Sequence, residues 1–147
     1  MKTPALPAPA EPARRKRILV VDDDDAVRIG LNDVLGTEGY EVVPASNGIQ
    51  ALAALRRQPC DLALLDINMP LLNGWGTIGE LRRLDRWLPM IIITARPDQR
   101  TLARESGVEL MEKPLDLPLL LGQIDALLHS TLTTPVHRAP NRRQRDR

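Results

Sequence analysis

An unbroken aliphatic run, Ile18-Leu19-Val20-Val21, leads straight into four aspartates, Asp22-Asp23-Asp24-Asp25. No other feature limits the fold so strongly. An apolar run without alternation is a strand buried on both faces, the situation of a parallel sheet covered by helices. The pattern then recurs: Glu41 to Ala45, Leu62 to Leu65, Met90 to Ile93 and Val108 to Met111 read as strands, each followed by helical periodicity. The first helix presents Val27, Leu31, Val34 and Leu35 on one face, with Gly36 and Gly39 as stop signals. The second runs from Asn47, a cap, to Arg57, with Ile49, Leu52, Ala53 and Leu55 on its buried side. Helices over Gly74 to Arg86 and Asp98 to Ser106 follow. A last one, led by Asp116, repeats Leu117, Leu120, Leu121, Ile124, Leu127 and Leu128 at helical spacing. Five strand-helix units in succession predict an α/β fold with a parallel sheet and helices on both faces.

These units occupy residues 18–130 of 147, the size of one domain. Residues 1–17 are rich in Pro and Ala and end in Arg14-Arg15-Lys16-Arg17, while residues 131–147 lose apolar periodicity and are rich in Arg. Both read as disordered basic tails. Each tail carries a net charge of +4, which leaves −7 on the domain although the whole chain is only +1. The tails are either solvated termini or weak grips on nucleic acid or an acidic partner. No apolar run approaches the roughly 20 residues that span a bilayer, so no membrane contact is expected. The single cysteine, Cys60, excludes an intrachain disulfide and a multi-cysteine metal site, and makes the cytoplasm the expected compartment. Aromatic residues make up 2% of the chain, too few for base stacking to be its purpose.

In open parallel sheets ligands bind beyond the carboxyl ends of the strands. Those positions here hold Asp22 to Asp25, Asp66 with Asn68, Thr94-Ala95, and Lys113-Pro114. Taken singly, each has an ordinary reading: an aspartate after a strand caps the next helix, as expected of Asp24 and Asp25, and a threonine or lysine needs no special role. Jointly they place carboxylates, a hydroxyl and an ammonium in one small volume. Crowded carboxylates repel unless a cation neutralises them. With oxygen donors only, the cation expected is Mg²⁺ or Mn²⁺ rather than zinc, and magnesium usually shares its carboxylates with a phosphoryl oxygen.

The strings ILVVDDDDAVR, DLALLDINMPLLNG, IIITA and EKPL resemble, in order and spacing, the signature segments of response-regulator receiver domains. The resemblance covers residues 18–130. It implies the flavodoxin-like strand order 2-1-3-4-5, and Pro44 in the second strand suits the edge position that this order assigns. It further implies that Asp66 accepts a phosphoryl group from a phosphohistidine, and that Asp22 and Asp23 organise the metal together with Asp66 and the backbone carbonyl of Asn68. Thr94 is then the hydroxyl that follows the phosphoryl group, and Lys113 the lysine that pairs with it through a cis Lys113-Pro114 bond. The implied partners are a histidine kinase or phosphotransfer protein and a downstream protein target, with homodimerisation a further route of output.

Two departures from the family pattern bear on output. The stretch from Gly107 to Lys113 is one residue shorter than usual, and Leu110 stands where most relatives carry a switch Tyr or Phe. Phosphorylation is expected to persist, without the usual inward turn of an aromatic ring. With no domain expected after residue 130, output is expected through docking, dimerisation or onward relay. Two rivals remain open at this level. A metal-dependent phosphohydrolase would use a similar strand-end aspartate, though it would carry a second aspartate where Asn68 stands. A phosphorylation-independent interaction module would act through the basic tails.

Overall fold

The computed structural model describes residues 14–68 and 74–130. Five strands, β1 (Arg17–Val21), β2 (Glu41–Ala45), β3 (Leu62–Asp66), β4 (Met90–Thr94) and β5 (Glu109–Glu112), form one sheet in the order β2-β1-β3-β4-β5. Every pairing is parallel. Between them run α1 (Asp25–Thr37), α2 (Gly48–Arg57), α3 (Gly74–Leu84) and α4 (Arg100–Ser106), the last entered through a 3₁₀ turn at Pro97–Gln99, and α5 (Leu117–Ser130) closes the order. The α/β class and the strand order match the expectation.

Alternation along the strands divides the core. Ile18, Val20, Leu62, Leu64, Ile91 and Ile93 face Leu31 and Leu35 of α1 and Leu120, Ile124 and Leu128 of α5. Leu19, Val21, Ala63, Leu65 and Ile92 face the other way, against Ala51, Ala54 and Leu55 of α2 and Ile78 and Leu81 of α3. Central β3 and β4 are buried along their whole length, and each large aliphatic side chain so enclosed contributes about 1.5–3 kcal/mol. Pro44, which has no N–H to give a ladder, lies in edge strand β2 in register with Val20.

Several local signals act as read. Asp24 caps α1, its carboxylate accepting the Ala26 and Val27 N–H groups, and Asn47 caps α2 by accepting from Gln50. Gly39, with φ of +91°, takes the left-handed turn after α1 that a side chain would strain. The helix itself runs through Gly36 to Thr37 before stopping.

The buried face of α2 differs from the expectation. Gly48, Ala51, Ala54 and Leu55 are buried, whereas Ile49 is 64% exposed and Ala53 is also exposed. Small Ala51 and Ala54 allow close approach to the sheet and to α3, and that fit outweighs the greater hydrophobicity of Ile49. The strand β5 starts one residue later than expected. The helix α3 stops at Leu84 rather than Arg86, because the Asp85 carboxylate accepts the Trp87 N–H and its carbonyl accepts from Leu88, turning the chain. Arg17, counted by sequence with the leading tail, opens β1 and pairs with Glu41. Of the rest of that tail, Arg14 pairs with Asp61 and the Lys16 carbonyl accepts the Glu41 N–H at 2.9 Å, while residues 1–13 and 131–147 lie outside the described residues. No helix of the described residues is long and apolar enough to cross a membrane.

Candidate functional site

The parallel register brings the carboxyl ends of four strands together: Val21 stands beside Leu65, Asp66 beside Ile93, and Thr94 beside Glu112. Asp22 leaves β1 with its N–H bonded to the Ala45 carbonyl at 3.1 Å. Asp66 ends β3. Lys113 leaves β5 with its N–H on the Thr94 carbonyl at 2.8 Å, and the Lys113-Pro114 bond is cis, as the resemblance implied.

Asp22, Asp23 and Asp66 each offer a carboxylate oxygen within 4.8 Å of the others. Asp22 and Asp66 are buried, at 2% and 4% exposure, while Asp23 faces solvent. The buried pair is held from below. Asp22 Oδ1 accepts the Asp24 N–H at 2.9 Å, and Asp66 Oδ1 accepts the Asn68 N–H at 2.8 Å. Lys113 Nζ donates to Asp66 Oδ2 at 3.2 Å and lies 3.8 Å from Asp22 Oδ2. Asp22 Oδ2 is buried and accepts no hydrogen bond.

The electrostatics follow from that crowding. Burial pushes the Asp22 carboxyl above its usual 3.8, the Asp24 N–H pulls it back, and Asp66 adds repulsion that Lys113 only partly offsets. For Lys113, burial favours the neutral amine, but the charge and hydrogen bond of Asp66, with Asp22 and Asp23, outweigh it and hold the ammonium above 10.5. One lysine therefore serves three carboxylates. A buried carboxylate oxygen with no hydrogen bond and only a distant ammonium, in an all-oxygen acidic cluster, fits a hard cation, so the three aspartates could hold a metal ion.

Thr94 is fully buried at the end of β4, where its hydroxyl accepts the Arg96 N–H at 3.0 Å and the Asn68 Nδ2 amide at 3.3 Å. It joins the aspartates through Asn68 rather than directly. Leu110 is half-buried against a groove with Ala103 and Val108, between α4 and β5. Asp22, Asp23, Asp66, Asn68, Thr94 and Lys113 thus stand at one end of the sheet, whereas Leu110 lies within β5 opposite Ile92.

Sequence reading missed Arg28. Its guanidinium donates to the Asp22 carbonyl at 2.6 Å and pairs with Asp25, fixing the acidic loop to the first turns of α1. The signal was present, since residue 28 stands one helical turn after Asp25.

Comparison with known proteins agrees with this geometry. The sequence pattern of the response regulator receiver domain matches residues 18–125. The chain is 39% identical over 118 residues to the response regulator MprA of Mycobacterium leprae, covering 78% of this chain and 52% of that protein. It is 37% identical over 115 residues to the transcriptional regulatory protein PrrA of Mycobacterium tuberculosis, covering 76% and 49%. The chain therefore spans about half the length of these curated relatives. Among solved structures, it resembles the response regulator TrrA of Thermotoga maritima in complex with Mg²⁺-BeF, at 35% identity and a TM-score of 0.71 over 76% of this chain and 98% of that one. It also resembles a CheY-like receiver domain from Methanospirillum hungatei, at 28% identity and a TM-score of 0.77 over 82% and 99%. Strand order, strand-end chemistry and a sequence match across most of its length converge on one assignment: this chain belongs to the response regulator receiver domain family.

Proposed function

We propose that residues 18–130 form a phosphoacceptor unit in which Asp66 takes a phosphoryl group from a phosphohistidine of a histidine kinase or phosphotransfer protein. The observation that supports it most is the Lys113 ammonium 3.2 Å from Asp66 Oδ2, beside a buried Asp22 oxygen that accepts no hydrogen bond. Asp22, Asp23, Asp66 and the Asn68 carbonyl would hold Mg²⁺, which when bound neutralises phosphoryl oxygens and lowers the repulsion an anionic donor meets at this site.

The chain's own groups do the rest. An Asp66 carboxylate oxygen attacks phosphorus in line, the oxygen–phosphorus bond forms, and the bond from phosphorus to the histidine nitrogen breaks with its electron pair going to the imidazole. Lys113 holds positive charge where the transferring oxygens gain negative charge. Thr94 supplies a hydroxyl that can turn from its Asn68 contact to donate to the product. Ala95 is small and exposed, leaving room for a donor to approach. Attack of water on the aspartyl phosphate would return the site to its resting form as inorganic phosphate leaves. With Leu110 in place of an aromatic ring, the Thr94 movement would be passed on through the groove between α4 and β5. A downstream protein, or a second copy of this chain, would read it in the cytoplasm.

Intact-mass measurement after treatment with acetyl phosphate and Mg²⁺ tests the proposal. The wild type should gain one phosphoryl group and Asp66→Asn none. A gain in Asp66→Asn would place the acceptor elsewhere. Rapid release of phosphate over many turnovers would favour the phosphohydrolase.

A further inference from the structure

The pole opposite Asp66 carries its own pattern. In this fold the helices run back against the strands, so the C-terminal turns of α2, α3 and α4 meet the beginning of β1 at one end of the sheet. Direct contacts tie these segments together. The Arg17 guanidinium donates to the Pro59 carbonyl just beyond α2 at 2.9 Å, α2 packs on α3, and Arg82 of α3 donates to the Ser106 and Gly107 carbonyls at the end of α4.

Along this row, Arg15, Lys16, Arg56, Arg57, Arg86 and Arg104 are exposed and have no ion-pair partner among the described residues. Their acidic neighbours are largely engaged. Asp61 is taken by Arg14 and the Arg17 N–H, Glu41 by Arg17, and Glu80 by Arg83. Glu38, Glu105 and Glu109 remain against the six cations. Helix-dipole complementarity explains one cation at each helix end. It does not explain pairs on adjacent ends joined to a basic lead-in. The last described turn of α5 also ends at this pole, and the sequence beyond it continues with Arg138, Arg142, Arg143, Arg145 and Arg147.

We propose that this pole is a binding face for the phosphate backbone of duplex nucleic acid, independent of base sequence and remote from Asp66. Five of the six cations are arginines, whose planar fork suits phosphate oxygens. A lipid surface fits less well, because large exposed apolar side chains stand at the other pole: Ile49, Leu102 and Leu119 lie in the first turns of α2, α4 and α5. Scarce aromatics agree with backbone contact rather than base stacking.

Fluorescence anisotropy of a short labelled DNA duplex of mixed sequence, titrated with the full chain between ~50 and ~200 mM salt, tests this face. A triple variant, Arg56→Ala, Arg57→Ala and Arg86→Ala, should bind more weakly. Its slope of log affinity against log salt should shrink by about 0.9 for each phosphate it no longer neutralises. The matching lysine variant should keep the slope, and acetyl phosphate labelling of Asp66 should match wild type in both. The proposal is overturned if wild type does not bind, if the alanine variant binds as wild type while Arg142→Ala, Arg143→Ala, Arg145→Ala and Arg147→Ala together abolish binding, or if mixed phosphatidylserine and phosphatidylcholine vesicles bind more tightly than the duplex.

Discussion

The two poles of the sheet hold opposite charges in opposite ways. At the carboxyl pole, Asp22 and Asp66 are buried and converge within reach of a single lysine. At the amino pole, most arginines are exposed and spread along adjacent helix ends, and each is paired with one acid, bound to backbone carbonyls or open to solvent. Topology alone sorts them, since helix N–H groups point to the first pole and helix carbonyls to the second. Solvent access decides what each can do. Charges screened by water act nearly independently, whereas buried like charges are coupled and wait for a counter-charge to relieve them.

The largest effect that would break this contrast is at Lys113. Lys113→Ala removes the only cation within 4 Å of the Asp66 carboxylate among the described residues, and the rate of acetyl phosphate labelling should fall about 10²–10³-fold. A fall no greater than that of a surface variant would mean the carboxyl pole is not coupled.

Asp22→Asn comes next and has the opposite sign on stability. It keeps an acceptor for the Asp24 N–H but deletes a buried like charge. In chelator, its Tm should therefore exceed wild type by a few degrees, the shift that about 1 kcal/mol gives a domain of this size. The Asp22 carboxyl sits above 3.8 in the fold, so its neutral form is favoured there. Its contribution to stability is present below 3.8 and is lost as pH rises through the higher folded value. The Tm advantage of Asp22→Asn should accordingly grow over that window, and thermal melts at a series of acid pH values check it.

Changes at the amino pole should act on stability and leave labelling alone. Asp61→Ala deprives the Arg17 N–H of its 2.7 Å acceptor and should cost about 1–3 kcal/mol in urea unfolding. Arg14→Ala loses a largely exposed ion pair and should cost under about 1 kcal/mol in the same measurement. If Arg14→Ala matched Lys113→Ala in its effect on labelling, the separation of the poles would fail.

Much of this was legible in the sequence because the signals were local or strongly patterned. The all-apolar runs marked the strands, Asp24 and Asn47 marked the caps, and Pro44 agreed with an edge. Asp22, Asp66, Thr94 and Lys113 were legible because a parallel sheet collects strand ends at one place. What escaped depended on fit between elements. Hydrophobicity alone favoured Ile49 for the interior of α2, and only close packing through Ala51 and Ala54 turns it outward. The Asn68 amide on Thr94 and the contacts that tie the row of helix-end arginines together join residues that no short-range spacing connects.

The central claim is that carboxylates from two strand ends and Lys113 form one cation-dependent unit. Calorimetric titration of Mg²⁺ into metal-free protein tests it most directly. Wild type should bind one ion per chain, with binding lost in Asp22→Asn and in Asp66→Asn and unchanged in Arg14→Ala. Binding that survives both aspartate substitutions, or that is absent from wild type, would contradict it.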